Sequence, residues 1–334
     1  MKHFYSYEAV DSKPYIRYRE GETKLGEQIV ISKAGIANNC QFVLLGIKED
    51  IGVKANLGVG GANTVWDSFL SAFLNIQSTD LFTGNEVQLL GYFDFTEPLH
   101  SSEPYIYRKQ VEYIDSEVEA LVMDIVKQNK IPIVIGGSHA NAYPIIKGVS
   151  LGLQHLHTFS NYSLNCINLD AHADFRRKEG RHSGNGFRYA YEEKFLKKYA
   201  IVGLHENYNP QTIIAEIKQN AAIWFCFWED IFLREKLSFK DAVYSAIEFT
   251  NGTLTGIELD LDCIEDVLSS AMTPSGISAT LARWYLYTTA LQCMVAYLHI
   301  CEGATQLADG RKDLTTGKLI SYLVSDFVKG YLEK

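Results

Sequence analysis

Short apolar segments alternate with longer amphipathic ones along most of this 334-residue chain, and this alternation restricts its fold more than any other feature. The apolar runs predict buried strands at 41–47, 87–93, 131–136, 165–170, 199–204, 222–227, 254–262 and 295–300. Helical patterns are clearest at 107–130, 238–249, 278–293 and 317–332. Strands that are apolar throughout and separated by helices are typical of a parallel sheet covered on both faces. We therefore predict an α/β fold with three layers (α/β/α) around a central, mostly parallel sheet.

Composition narrows the class of protein further. No linker rich in Pro, Gly or Ser divides the chain, so we predict that residues 1–334 form a single domain. The net charge of −9 argues against nucleic acid or an anionic membrane as the main partner, because either needs a basic face. The start lacks a signal peptide's apolar core, and the six cysteines lack C-x-x-C spacing. We predict a cytoplasmic protein with reduced thiols.

Polar clusters follow four of the predicted strands. They read "IGGSHAN" (135–141), "LDAHAD" (169–174), "ELDLDCIED" (258–266) and "HICEG" (299–303). In open parallel sheets, ligands bind outside the carboxyl ends of the strands. We therefore expect these clusters to form one site.

The clusters contain residue types that bind metals. Alternate residues of an extended segment point to the same side, so the acidic and imidazole groups within each cluster can converge. Four carboxylates in one pocket raise each other's pKa unless cations compensate them, and two divalent ions would do so. Oxygen and imidazole ligands without thiolate favour Mn²⁺ over structural zinc. The spacing predicts a dinuclear centre whose ligands are His139, Asp170, His172, Asp174, Asp260 and Asp262.

The same motifs resemble those of the ureohydrolases, the arginase and agmatinase family. "GGSHAN" is similar to the GGDHS motif of that family, "DAHAD" matches its DAHxD motif, and "ELDLD" is similar to its SxDxD motif. "HICEG" falls where the family carries a late glutamate, so the resemblance spans at least Ile131 to Glu302. "RHSGNGF", "GLHENY" and "YLHICEGA" look like the formimidoylglutamase-like branch. The resemblance implies an arginase-like catalytic domain that forms a homo-oligomer.

The resemblance also implies how two Mn²⁺ ions per chain are held. Asp170 and Asp260 would bridge the ions. The first ion would be bound by His139, Asp170, Asp174 and Asp260, and the second by Asp170, His172, Asp260 and Asp262. The chain departs from the family pattern where Ser138 replaces an aspartate and Glu258 replaces a serine, and a proline expected a few residues later is absent. None of these positions holds a ligand, so we expect altered surroundings rather than a lost metal.

The implied chemistry is hydrolysis of a C–N bond in a linear amidine or guanidine. Water activated by the metals would attack the amidine carbon, Asp174 would relay its proton, and Glu302 would pair with the cationic group. Ser183 stands where arginase-type enzymes carry a shuttle histidine, and His182 lies beside it. We predict His182 as a general acid, and Ser183 and Asn185 as hydrogen-bonding partners of the substrate.

Basic residues crowd the segment "FRRKEGRHSGNGFR" (175–188) of this otherwise acidic chain. Arginines bind carboxylates in a bidentate manner, and we predict Arg176 and Arg181 as substrate-binding residues. N-formimidoyl-L-glutamate carries two carboxylates, arginine one and agmatine none. The cluster therefore favours hydrolysis of N-formimidoyl-L-glutamate to L-glutamate and formamide, a step of histidine degradation. A solvated charged loop is nearly as good an interpretation of the cluster.

Other functions remain open at this point. Another ureohydrolase activity, on arginine, agmatine or a guanidino acid, would use the same metals. A deacetylase of similar fold would use one Zn²⁺ held by an Asp-His-Asp set, and a catalytically inactive family member would serve as a binding module. The segment "GLHENYN" (203–209) ends another strand, so His205, Glu206 and Asn207 are further candidates for contact with the distal end of the substrate.

Overall fold

A computed structural model describes residues 2–32, 35–97, 103–157 and 162–334 of the chain. The strands in these ranges are β1 (Phe4–Ser6), β2 (Phe42–Lys48), β3 (Val87–Asp94), β4 (Ile131–Ile135), β5 (Leu164–Leu169), β6 (Leu196–Leu204), β7 (Ile223–Phe227), β8 (Thr255–Asp260) and β9 (Val295–Cys301). They form one nine-stranded sheet in the order β1-β3-β2-β4-β9-β8-β5-β6-β7. The edge strand β1 pairs antiparallel to β3, and the other pairings are parallel.

Helices cover both faces of the sheet. Their bounds are α1 (Ala9–Ser12), α2 (Leu25–Gln28), α3 (Ile51–Ala55), α4 (Val65–Phe73), α5 (Pro104–Lys127), α6 (Ala142–His157), α7 (Gly186–Glu192), α8 (Gln211–Lys218), α9 (Trp228–Phe232), α10 (Phe239–Thr250), α11 (Ala279–Gln292) and α12 (Thr316–Leu332). Alternate residues of β2 enter two different cores: Leu44 packs in the core with α4 and α12, and Leu45 in the core with α5 and α6. This arrangement confirms the predicted three-layer α/β/α fold. Within the described ranges, no helix has the length and apolarity needed to cross a lipid bilayer.

The central strands are buried along almost their whole length, which explains why their sequences lack alternation. Every residue of β4, β5, β8 and β9 is buried. The predicted strand at 254–262 ends at Asp260, because its side chain accepts a hydrogen bond from the Asp262 amide (2.8 Å) and starts a 3₁₀ turn over Leu261–Cys263. The short edge strand β1 has no apolar run to predict it.

Four adjacent strands, β4, β9, β8 and β5, carry the polar clusters predicted from the sequence. Since these strands are parallel, their carboxyl ends lie at one edge of the sheet. After β4, Gly136 (φ +88°) and Gly137 (φ +74°) adopt left-handed conformations, and a Cβ on Gly137 would lie 2.6 Å from Asn141. This turn leads into a 3₁₀ segment at His139–Asn141 and brings His139 over the sheet edge.

Candidate active site

The imidazole of His139 lies at the centre of a first ligand group. Its Nδ1 is 3.2 Å from Asp170 Oδ2, 2.9 Å from Asp174 Oδ2 and 3.1 Å from Asp260 Oδ2. A ring nitrogen carries at most one proton, so Nδ1 cannot donate a separate hydrogen bond to each of three carboxylate oxygens. The ligand atoms of these four residues lie within 4.8 Å of one another. Their arrangement fits a cation between them.

A second ligand group adjoins the first and shares one residue with it. It consists of Asp170, His172 and Asp262, with His172 Nδ1 3.1 Å from Asp262 Oδ2 and 3.7 Å from Asp170 Oδ1. Asp170 therefore faces the first group with Oδ2 and the second with Oδ1, which is the geometry of a bridging carboxylate. Asn168 Nδ2 donates to Oδ2 (2.9 Å) and the His172 amide donates to Oδ1 (2.6 Å), so both oxygens are oriented. Asp260 belongs to the first group, and its Oδ1 accepts the Asp262 amide (2.8 Å), so its bridging role remains a prediction.

The electrostatics of the two groups also favour bound cations. Burial raises the pKa of Asp260 to about 8, and the charges of Asp262 and Asp170 add to this rise. Burial and Asp170 raise the pKa of Asp174 to about 6. Burial also acts to raise the pKa of Asp170, but hydrogen bonds with His139 and His172 hold it below its ordinary value. Buried carboxylates so close together are unfavourable without positive charge, and divalent cations supply it.

Asp174 and Glu302 have left-handed backbone conformations that are uncommon for residues with side chains. Their φ angles are +44° and +63°. Glu302 Oε1 accepts a hydrogen bond from the His139 amide (2.8 Å), and the Glu302 amide donates to Gly137 O (2.9 Å). Burial, followed by the charge of Asp260, raises the pKa of Glu302 well above its ordinary value. Such strain and such pKa shifts are typical of functional sites.

Ser138 and Glu258, which depart from the family pattern, have partners in the core. Ser138 donates to Glu49 Oε1 through its hydroxyl and its amide, each at 2.6 Å, so Glu49 supplies a carboxylate beside the position where the family carries one. Glu258 accepts hydrogen bonds from Tyr297 OH (2.6 Å) and from His299 Nδ1 (2.6 Å), and its Oε2 lies 3.5 Å from His139 Nε2. Neither position belongs to a ligand group.

A cavity of about 200 Å³ opens above the two ligand groups. This is smaller than the pockets of about 300–1,000 Å³ that hold drug-sized ligands, so it suits a small metabolite. Its walls include four of the six predicted metal ligands and three other residues of the predicted site, namely His172, Asp174, Asp260, Asp262, Arg176, Ser183 and Glu302. The other two predicted ligands, His139 and Asp170, are fully buried and do not line the cavity.

Arg176 and Ser183 belong to a hydrogen-bonded chain at the cavity wall. Arg176 Nη1 donates to Asn56 Oδ1 (2.9 Å), and Asn56 Nδ2 donates to Ser183 Oγ (3.1 Å). Arg176 Nη2 contacts Glu179 Oε1 at 3.0 Å, and both of these side chains are more than 40% exposed (49% and 42%). Among the described residues that line the cavity, Arg176 is the only basic residue of the Lys or Arg type.

The structure corrects the predicted substrate-binding roles of Arg181 and Asn185. Arg181 is buried outside the cavity, where Nε and Nη2 donate to the two oxygens of Asp115 (2.7 and 3.2 Å). Its remaining donors contact Ala140 O (2.6 Å) and Asn185 Oδ1 (2.8 Å). Asn185 Nδ2 in turn donates to Gly180 O (2.8 Å). All these polar groups are used in holding the loop, so none is directed at a substrate.

The structure also corrects the predicted role of His182 as a general acid. The His182 side chain is buried and does not line the cavity. Its Nδ1 accepts the Gly184 amide (3.1 Å), which fixes the turn that carries Ser183. Burial, together with the charges of Arg176 and Arg108, lowers the pKa of His182 to about 4. Such an imidazole has no extra proton to donate at neutral pH.

Other cavity residues were not predicted individually. Tyr208, Asn209 and Pro210 line the wall, whereas the candidates His205, Glu206 and Asn207 do not. Glu206 instead pairs with Arg234 at the surface (2.7 Å). The strand-end position of "GLHENYN" indicated this loop, but not which of its side chains point inward.

The buried pair of Arg181 and Asp115 predicts a large stability effect. We expect Arg181→Ala to lower the free energy of unfolding by about 3–5 kcal/mol, because Asp115 loses its buried partner. The matched control Arg283→Ala removes an exposed pair with Asp326 and should cost about 0–1 kcal/mol. Denaturant unfolding measures both. Equal losses in the two variants would contradict the structural role of Arg181.

The same pair predicts a pH dependence with a defined sign. Burial raises the pKa of Asp115 to about 6 even beside Arg181, and removing the arginine raises it further. The folded variant then binds a proton that the unfolded chain releases, so stability falls as pH rises through this pKa. We expect the stability deficit of Arg181→Ala to be larger at pH 8 than at pH 5. A smaller deficit at pH 8 would mean that Asp115 is not desolvated.

Comparison with known proteins places this site in a family. Residues 41–287 match the model of the arginase family. A formimidoylglutamase of Streptococcus pyogenes is 28% identical over 197 residues, which cover 57% of this chain and 55% of the relative, so the match spans about half of the relative's length. Two solved structures share the fold. The formiminoglutamase of Trypanosoma cruzi has a TM-score of 0.73 and 20% identity, over 94% of this chain and 99% of the other. The formimidoylglutamase of Bacillus subtilis has a TM-score of 0.70 and 19% identity, over 97% of this chain and 98% of the other. The chain belongs to the arginase family.

Proposed function

We propose that this chain is a binuclear manganese hydrolase of linear amidines, with N-formimidoyl-L-glutamate as the favoured substrate. The observation that carries the proposal is the pair of ligand groups sharing Asp170 beneath a cavity whose wall presents Arg176. The names of the similar proteins support it, since they are formimidoylglutamases, and the solved Trypanosoma cruzi formiminoglutamase is described with Mn²⁺. The single-domain organisation, a homo-oligomeric assembly and a cytoplasmic location remain predictions.

The donor set fits two divalent cations. The first ligand group would hold one ion and the second ligand group the other, and both groups consist of carboxylate and imidazole donors. Such donors without thiolate suit Mn²⁺. When bound, a pair of these ions makes a water nucleophile available near neutral pH and stabilises developing negative charge. The Asp262 Oδ1 atom is buried and has no hydrogen-bond partner among the described residues. It could coordinate a cation or accept a hydrogen bond from a water bound to it.

Asp174 and Glu302 act on the substrate from the cavity wall. Asp174 lines the cavity, so it can receive the proton that the attacking water loses and deliver it to the departing nitrogen. Glu302 uses Oε1 for the His139 amide, so its second oxygen can pair with the cationic formimidoyl group. The oxygen of the water becomes the carbonyl oxygen of formamide, and the bond from the amidine carbon to the glutamate nitrogen breaks. Asp174 carries one proton of the water to that nitrogen, and the other proton leaves the hydroxyl as the carbonyl forms, so the cationic amidine and water give formamide and the ammonium form of glutamate.

Arg176 would bind a substrate carboxylate. Its exposed contact with Glu179 contributes little stability, so a bound carboxylate can replace it. Asn56 orients the guanidinium and also holds Ser183, whose hydroxyl lies at the same wall. A carboxylate-bearing substrate thus fits the wall better than agmatine, which lacks a carboxylate.

The first test is the reaction itself. We expect the Mn²⁺-loaded chain to release formamide from N-formimidoyl-L-glutamate, and far less urea from arginine, agmatine or guanidino acids. Chromatographic detection of formamide, urea and ammonia across this panel separates the activities. Urea as the main product would show that the chain has another activity of the family. The absence of all three products would refute the hydrolase proposal.

The ligand groups are tested by metal content. We expect Asp170→Ala to lose both ions, because its carboxylate serves both groups, whereas Asp262→Ala should lose only the ion of the second group. Elemental analysis after dialysis against a fixed free Mn²⁺ concentration measures both. Two retained ions in Asp170→Ala would contradict the shared position of this carboxylate.

Substrate recognition is tested at Arg176. We expect Arg176→Ala to raise KM for N-formimidoyl-L-glutamate by about 10- to 150-fold, since a hydrogen bond to a charged group contributes about 1.5–3 kcal/mol. Metal content should not change. Arg177→Ala is the matched control, because Arg177 is an exposed neighbour that does not line the cavity. The same KM in both variants would remove Arg176 from the substrate site.

A further inference from the structure

His139 and His172, the histidines of the two ligand groups, differ in the solvent exposure of their side chains. The side chain of His139 is fully buried, whereas that of His172 is 29% exposed at the cavity. Nδ1 of His172 faces Asp262 and Asp170. An exposed imidazole can rotate away from a metal, and groups outside the ligand set usually restrain it. The residues that pack on the ring of His172 can supply this restraint.

A stack of aromatic rings extends from His172 towards α9. Tyr208 lies parallel to His172 (ring centroids 5.5 Å apart, interplanar angle 20°) and to His205 (4.8 Å, 11°). His205 stacks in turn on Trp228 (5.1 Å, 20°), whose Nε1 donates to Gly276 O (3.0 Å). The phenol of Tyr208 is thus the ring that stacks on His172, and behind it lie the buried ring of His205 and the hydrogen-bonded ring of Trp228.

The loop that carries Tyr208 is also hydrogen-bonded to the residues on either side of His172. Asn209 Oδ1 accepts the Ala173 amide (2.9 Å), and Asn209 Nδ2 donates to Ala171 O (2.9 Å). The His205 amide donates to the same carbonyl (3.0 Å). These bonds fix the distance between the two loops, so Tyr208 stays over the imidazole.

We propose that Tyr208 is a positioning residue that holds the ring of His172 with Nδ1 towards Asp170 and Asp262, and that it thereby sets the affinity of the second ligand group for its cation. The inference rests on the proposed function for the presence of two cations. It assigns the effect to the ring of Tyr208, since its hydroxyl has only a 3.3 Å contact with Thr273. Tyr208 is 42% exposed, so its replacement leaves the core intact.

The test measures metal affinity and needs no turnover. Metal-free wild type, Tyr208→Ala, Tyr208→Leu and Tyr208→Phe are titrated with MnCl₂, and free Mn²⁺ is followed by electron paramagnetic resonance. We expect Tyr208→Ala and Tyr208→Leu to weaken one of the two sites by about 10- to 100-fold, the range found when partners of metal ligands are removed. Tyr208→Phe should retain both affinities, because it keeps the ring. The matched control is Tyr18→Ala, which removes a tyrosine that is 63% exposed and not at the cavity.

Each other outcome overturns a defined part of the inference. Wild-type affinities in Tyr208→Ala and Tyr208→Leu would refute the positioning role while leaving the proposed function intact. A raised KM in these variants with unchanged Mn²⁺ binding would show that Tyr208 contacts substrate instead. Equal weakening of both sites would also refute it, because only the second ligand group contains His172. A wild-type chain that binds fewer than two Mn²⁺ would refute the proposed function and this inference together.

Discussion

Repulsion between buried carboxylates is the constraint on which the site depends. Asp170, Asp174, Asp260 and Asp262 converge at one edge of the sheet, where burial and mutual charge raise the pKa of most of them. Such a cluster lowers the stability of the fold unless positive charge enters it. Without metal, protonated imidazoles of His139 and His172 supply such charge. A pair of divalent cations would replace it, because an imidazole binds a metal in its neutral form. The destabilising cluster and the binding site are therefore the same feature, and metal binding should be coupled to stability.

The fold could be predicted from the sequence to the level of its layers, because strands buried on both faces are recognisable by unbroken apolarity. Thus β4, β5, β8 and β9 were all expected. Their order in the sheet was not predictable, since the residues that decide which strands pair are far apart in the chain. The antiparallel β1 was missed for a different reason. Its three residues are partly exposed at the sheet edge, so no burial pattern marks them.

In the candidate site, too, features set by neighbouring residues in the chain could be predicted, whereas features set by residues far apart in the chain could not. Five of the six predicted metal ligands, all except His139, occur at alternate positions within two short segments, so their convergence within each segment could be predicted from local spacing. The orientation of an arginine could not, because Arg176 and Arg181 occur in one basic segment and differ only in their distant neighbours. Arg181 faces Asp115, a residue 66 positions away in the sequence, and this buried carboxylate draws it into the core. His182 was misassigned similarly, since its burial follows from packing and not from its neighbours in the chain.

The departures at Ser138 and Glu258 show that the surroundings of a site can change while its geometry is kept. The turn before His139 still has a carboxylate acceptor, but Glu49 supplies it from the end of β2. Behind the same histidine, Glu258 is held by Tyr297 and His299, so its buried charge is balanced by donors. The exposed side of the site relies on aromatic stacking around His172 instead. The two imidazoles thus differ in their surroundings. His139 is fully buried, with Nε2 3.5 Å from Glu258 Oε2 and its ring edge-to-face with Phe187, whereas the partly exposed His172 stacks on Tyr208.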